Sequence, residues 1–255
     1  MARNIFSLSF VLPSQKLSIK ETVFKLLSLL EILRIEDDVF TKFKASALHF
    51  KSVALNLGEG SFEENVMKLS EVILQFNFED IRQHEKEENP TIHFTRDFGY
   101  RFLLQFNKNN KQHFSITGNI SSSQFCGLAI EYFPFEKSDY DFDWYMNIIR
   151  KTNDFLKPKY SGVKIILDQY MELYRPLKII YPLGWITYFS NDSNIKMLKN
   201  TDFEIIQGEK GQYVIATRED FTTSKESFFA MKEKLIEGMK VLKSICNEYS
   251  DTEIT

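Results

Sequence analysis

Tyr181-Pro-Leu-Gly-Trp-Ile-Thr-Tyr-Phe-Ser190 is the stretch on which the fold turns. Gly184 permits a close or sharp backbone geometry. After it, Trp185, Thr187 and Phe189 alternate with Ile186 and Tyr188, so a strand built here carries large side chains on both faces. Such a strand belongs in an interior, since neither face is polar enough to be left to water. An indole and a phenol are buried favourably only when their polar tips find partners. The segment is therefore expected to be a centre of packing, with Gly184, Trp185 and Tyr188 as its structural core motif.

Downstream, Phe203–Gln207 and Gln212–Thr217 flank Gly208 to Gly211, the pattern of a hairpin with glycines at its turn. Thr223 and Glu226 then read as the start of a last helix, whose apolar face runs through Phe228, Leu235, Met239, Leu242 and Ile245; residues 247–255 read as a loose tail. Upstream, Gly162–Leu167 reads as a short strand, and Asp168–Tyr174 fits helix and strand equally. Before them, Asp139, Asp141 and Asp143 lead into the stripe Phe142, Tyr145, Ile148, Ile149, Phe155 and Leu156, with Pro158 as a stop; a helix over Phe142–Lys157 follows.

The first half has the same clarity in most places. Residues 1–17 hold a strand, with Ile5–Val11 alternating around Ser7 and Ser9. Ser18 and Glu21 form a capping box ahead of a helix from Ile19 to about Arg34. A second extended piece, Leu48–Leu57, ends at Gly58-Glu59-Gly60. Ser61 and Glu64 form another box, opening a helix through Phe62, Val66, Leu69, Ile73 and Phe76. Gln83–Pro90 reads as a solvated connection, after which Tyr100–Phe106, Phe114–Gly118 and Phe125–Phe133 read as an antiparallel meander. The expected fold class is α+β, antiparallel strands covered by four main helices. With only six Pro and ten Gly in 255 residues there is little linker material, so a single domain over 1–255 is expected.

Composition narrows function mainly by exclusion. The net charge of −3 arises from 32 basic and 35 acidic residues without a basic run, which disfavours nucleic-acid binding. The apolar run Ile5–Leu12 is too short and too interrupted for a signal or a membrane span, so a soluble cytoplasmic protein with no membrane partner is expected. Cys126 and Cys246 lie far apart in apolar patterns and read as reduced core residues. Oligomeric state leaves no mark in the sequence.

Chemical motifs begin and then break. Gly58-Glu59-Gly60-Ser61-Phe62 opens like a kinase glycine loop, but the third glycine is replaced by Glu63, where a carboxylate would face the phosphates. Asp97-Phe98-Gly99 has the kinase magnesium triplet, but the strand lysine and catalytic loop have no room between the two motifs. The alternatives are a strand exit with a helix cap and a strand entry. His49, His84, His93 and His113 lack metal-ligand spacing, and Asp139, Asp141 and Asp143 lack the glycine and closing Glu of a calcium loop, Trp144 standing where the glycine belongs. No metal and no cofactor is expected.

The order strand, helix, helix, Gly99-Tyr100 strand, meander, a helix bearing Trp144, then Gly184-Trp185-Ile186-Thr187-Tyr188 resembles the immunity proteins of bacterial polymorphic-toxin systems, of the type catalogued as immunity protein fifty-two. The resemblance covers nearly the whole chain, and its sharp motif is Gly-Trp-x-x-Tyr. It implies a non-enzymatic antidote, of the kind paired with polymorphic-toxin and type VI secretion effectors, whose partner is a cognate toxin. The Gly-Trp segment would then define the fold rather than the binding surface. For that surface, the densest acidic groups in segments expected to be exposed are Glu85, Glu87 and Glu88, and Asp139, Asp141 and Asp143. The rival expectation is an enzyme or small-molecule binder whose site is built from strand ends, with Tyr170, Tyr174 and Arg175 as candidates.

Overall fold

The structure, a computed structural model, describes residues 5–45, 52–84, 99–109, 111–122, 126–133, 140–166, 183–190, 198, 201–221 and 224–250. Its class is α+β, with ten strands and four α-helices among the described residues. Every strand pair whose register is resolved runs antiparallel. The chain forms two compact units. A meander unit holds Ser9–Phe133 and Arg150–Pro158; a Gly-Trp unit holds Met1–Leu8, Pro134–Ile149 and Lys159–Thr255.

In the meander unit the elements are the second half of β1 (Ile5–Leu12), α1 (Ile19–Glu36), a 3-10 turn (Asp38–Thr41), β2 (Lys42–Ala45), β3 (Val53–Asn56), α2 (Phe62–His84), β4 (Arg101–Lys108), β5 (Lys111–Asn119) and β6 (Cys126–Tyr132). Strand order is β3-β2-β4-β5-β6-β1. Both expected capping boxes form. Ser18 Oγ accepts from Glu21 N while Glu21 Oε2 accepts from Ser18 N at 2.7 Å, and Ser61 and Glu64 repeat the exchange. These bonds to Ser18 hold the Glu21 carboxyl below its ordinary range. Behind the first box Val23, Leu26, Leu27, Leu30 and Leu33 are fully buried.

The Phe excess has its physical destination here. Phe40 packs on Phe106 and Phe114 at 5.2 and 5.0 Å, and Phe114 on Tyr132 at 5.1 Å. One amide joins helix to sheet: buried Asn77 of α2 donates to Arg101 O and accepts from Arg101 N, both at 2.9 Å, closing the end of β4 as a neighbouring strand would. Gly99, at φ +68°, leads into β4, and a Cβ there would stand 1.2 Å from Ser121 O. Its residue type is thus explained by packing, as a strand entry.

The Gly-Trp unit contains the first half of β1, β7 (Tyr160–Ile166), β8 (Ile186–Phe189), β9 (Glu204–Gln207), β10 (Gln212–Ile215) and α4 (Lys225–Ser250). Strand order is β1-β7-β8-β10-β9. A further helix, α3 (Phe142–Leu156), begins in this unit and passes into the meander unit after Ile149. Leu183 through Phe189 are all buried, so the deciding segment is covered on both faces. Trp185 N donates to Val163 O and Ala216 N to Trp185 O, while Trp185 Nε1 reaches Thr217 O at 2.8 Å. A Cβ on Gly184 would stand 2.3 Å from Val163 O, so the close approach that begins this strand requires glycine.

Several expected details change. The pair β2–β3 includes a strand, β2, that the sequence did not announce; four residues of Lys-Phe-Lys-Ala directly after a 3-10 turn are too few for alternation to stand out. Only Val53–Asn56 of the piece expected over Leu48–Leu57 is a described strand, since residues 46–51 lie outside the described residues. α2 continues through Gln83 to His84, where a connection was expected. The last helix is capped by Ser224, whose Oγ accepts from Ser227 N, the N3 amide, at 3.0 Å; Thr223 of the expected Thr223–Glu226 start lies outside the described residues. That helix also runs to Ser250, so Asn247–Ser250 is helical and not tail. Residues 168–182 lie outside the described residues. No described helix is long and apolar enough to cross a membrane.

Candidate interaction site at the start of the third helix

Of the six acidic positions singled out in the sequence, Glu85, Glu87, Glu88 and Asp139 lie outside the described residues. Asp141 and Asp143 are both exposed at the N-terminus of α3, and their roles differ. Asp141 is the helix cap: its Oδ1 accepts from Trp144 N at 2.9 Å, and its backbone carbonyl accepts from Tyr145 N. The cap satisfies a donor that the first helical turn leaves open and places negative charge at the positive end of the helix dipole. A carboxylate so used explains its presence without a partner. Asp143, in the first turn, also lies at the positive end of the dipole.

Around Asp143 the fold gathers groups from distant sequence. Arg218, just after β10, makes a two-pronged contact with Glu204 of β9, Nε to Oε2 at 2.7 Å and Nη2 to Oε1 at 2.6 Å. The same guanidinium lies 5.4 Å from the centre of the Phe142 ring. Arg218 is held above its ordinary range by Glu204 first and by the Asp143 charge as a smaller contribution; Glu204 is held below its own by Arg218. On the other side of the turn the Tyr140 and Trp144 rings lie 4.1 Å apart, both half-exposed. The Trp144 ring in turn meets buried Tyr145 edge-on at 5.0 Å.

The start of α3 thus presents two amphipathic rings, a carboxylate and a guanidinium. Tyr, Trp and Arg carry most of the energy in many protein interfaces because they bury large area at modest entropic cost. The sequence pointed to the acids but missed Arg218 and Glu204, which stand 75 and 61 positions from Asp143. Their only local sign is that they flank the β9–β10 hairpin in register, Glu204 opposite Ile215.

The residues of the Gly-Trp motif are buried. Trp185 is 4% exposed, Tyr188 is 5% exposed, and neither belongs to this surface. Trp185 packs against Phe6, Phe142, Tyr145 and Phe221, with ring centres 4.9 to 6.3 Å away. The residues considered for chemistry are also placed. His113 is buried between the rings of Phe114 and Tyr132. Cys126 is buried, its sulfur accepting from Ser122 N and donating to Ser122 O. His49, His93, Tyr170, Tyr174 and Arg175 lie outside the described residues. Among the described residues no three His, Cys, Asp or Glu gather as a metal site. One amine is unusual: half-buried Lys164 on β7, 5.2 Å from the Tyr160 ring, is pushed by burial down to about 8.

No protein-family model matches the chain, and no curated protein matches it. Among solved structures it is similar to a T6SS protein of Pseudomonas aeruginosa, with 11% sequence identity and a TM-score of 0.42 over 84% of this chain. The chain spans 65% of the length of that solved chain.

Proposed function

We propose that this protein is an immunity-type antidote, which binds a cognate bacterial toxin in the cytoplasm and blocks it without catalysis and without a cofactor. The observation that carries the reading is the surface at the start of α3, which bears the Tyr140–Trp144 ring pair and exposed Asp143, with the Glu204-paired Arg218 guanidinium against the Phe142 ring. The sequence resemblance, centred on Gly184-Trp185-x-x-Tyr188, supports it. An antidote must meet its toxin before the toxin acts, and charge at the rim of an interface raises the rate of encounter. Asp143 supplies negative charge suited to a basic toxin. The rings supply the anchor.

The test is co-expression with the product of the adjacent gene, followed by co-purification and a survival assay. A stable one-to-one complex and rescue of growth are expected. Trp144→Ala with Asp143→Lys should lower the association rate at least about tenfold and weaken rescue while leaving the melting temperature near that of the parent. Failure of the wild-type protein to bind or protect against that product would overturn the antidote reading. Unchanged binding by the double variant would overturn only the choice of surface.

A further inference from the structure

We infer that the meander unit carries a second binding site, an anion site for a small, multiply charged phosphate-bearing ligand, in the hollow over β2 and β3. This inference is independent of the antidote reading. The hollow has a volume of about 550 Å³, within the range that accommodates small molecules. Its charged lining is Lys42, Lys44, Lys68 and Glu59.

The register of the sheet explains how the cations come together. Phe43 pairs with Leu55 and Phe106 and turns into the core, so its neighbours Lys42 and Lys44 stand on the opposite face, both exposed. Residues two apart on a strand lie about 7 Å from each other along one face, so the two amines reach into a common volume. The cross-strand neighbours of Lys44 are Ala54 on one side and Gln105 on the other, and that of Lys42 is Asn56. None is a carboxylate. Ala54 is also small enough to leave the floor open.

The single acid of the lining, Glu59, is oriented by Asn56, whose Nδ2 donates to its Oε1 at 2.6 Å; its charge remains, so the lining holds three positive groups against one negative. Elsewhere on the described surface Arg34, Lys151, Arg218 and Lys240 each have a carboxylate at ion-pair distance. Lys42, Lys44 and Lys68 have none among the described residues. Three like charges held around one concavity repel one another, and the arrangement becomes favourable when an anion with several oxygens enters. Neutral amides of Gln105 and Asn107 add hydrogen-bonding capacity at the rim. The one ring in the lining, Phe43, is 3% exposed, so the site has no platform for stacking a base. That favours a phosphorylated ligand recognised through its phosphates over a nucleic acid.

Calorimetric titration of the full chain with tripolyphosphate and, separately, with inorganic phosphate tests the proposal. Saturable one-to-one binding of tripolyphosphate is expected, weakening as sodium chloride is raised. Lys42→Ala and Lys44→Ala should each weaken it at least about tenfold, with melting temperatures unchanged. Lys240→Ala, which removes an already paired lysine, should bind as the parent does. The proposal is overturned if no saturable binding occurs, if Lys240→Ala weakens binding as much as Lys44→Ala, or if a glutamate-rich peptide binds while tripolyphosphate neither binds nor competes with it. The last outcome would make the hollow a docking place for an acidic protein segment.

Discussion

Trp185→Ala removes the side chain on which the Gly-Trp unit converges. The ring is 4% exposed and meets four aromatic neighbours: Phe221 at 4.9 Å, Tyr145 at 5.3 Å, Phe142 at 5.9 Å and Phe6 at 6.3 Å. Deleting a buried Trp or Phe to Ala costs about 3–5 kcal/mol, because the cavity collapses only in part. Four rings from three separate segments limit that collapse, and paired aromatics add roughly 0.5–1.5 kcal/mol each beyond their area. The hydrogen bond from Nε1 to Thr217 O is lost as well, but Thr217 is half-exposed and its carbonyl regains water, so this contributes only about 1 kcal/mol. The upper part of the range, about 5 kcal/mol, is therefore expected. Urea unfolding followed by far-ultraviolet circular dichroism measures it, the transition of the Gly-Trp unit moving to lower urea with its slope unchanged. Trp185→Phe, which keeps a ring and loses the N–H, should cost only about 1–2 kcal/mol. A loss below about 1 kcal/mol for Trp185→Ala would show that the ring is not the centre of this packing. Equal losses for Ala and Phe would show that the hydrogen bond, rather than the rings, carries the effect.

Two further outcomes are expected. Asn77→Leu should destabilise the meander unit by about 1–3 kcal/mol in chemical denaturation, since Arg101 N and O lose the partner that the Asn77 amide supplies; a change within about 0.5 kcal/mol would contradict the role given to this amide. Lys164 gives a pH dependence with a defined sign. Its folded amine, at about 8, lies below the unfolded value, so between about pH 8 and 10.5 the unfolded chain holds a proton that the folded chain has released, and this group makes stability rise with pH in that window. Lys164→Met should abolish the rise and stabilise the protein at pH 7 by up to about 3 kcal/mol, and identical pH profiles for parent and variant would refute the assignment.

What was legible in the sequence was whatever one stretch of chain determines for itself. Ser18 with Glu21 and Ser61 with Glu64 announce helix starts because both partners of each exchange lie within one turn. Leu183 to Phe189 announces a doubly buried strand because no register slip could give it a polar face. Where the local signal was short or doubled, the reading slipped. Four residues of β2 alternate too briefly, and Thr223 and Ser224 offer two adjacent hydroxyls in sequence, of which Ser224 is the helix cap. The excess of Phe was visible as a number, but its use, a cluster of Phe40, Phe106 and Phe114, depends on pairing β4 with β5.

The surfaces follow the opposite rule, and for a physical reason. Asp141 and Asp143 look alike in sequence, two acids at the start of one helix, yet one faces the helix amides and the other faces outward toward Arg218. Only the direction of the first turn separates a cap from a contact, and that direction is fixed by the rings of Phe142 and Tyr145 seated on Trp185. Lys42 and Lys44 likewise acquire meaning only when Ala54 and Gln105, residues 10 and 61 positions beyond Lys44, are placed on either side of it. Surfaces defined by such juxtapositions can change at a single residue without disturbing the core. The elements that display them are held by residues whose constraint is internal, so substitutions at Asp143, Lys42 or Lys44 should leave stability largely intact. Substitutions at Gly184 or Trp185 should do the reverse, lowering stability first and binding only through it.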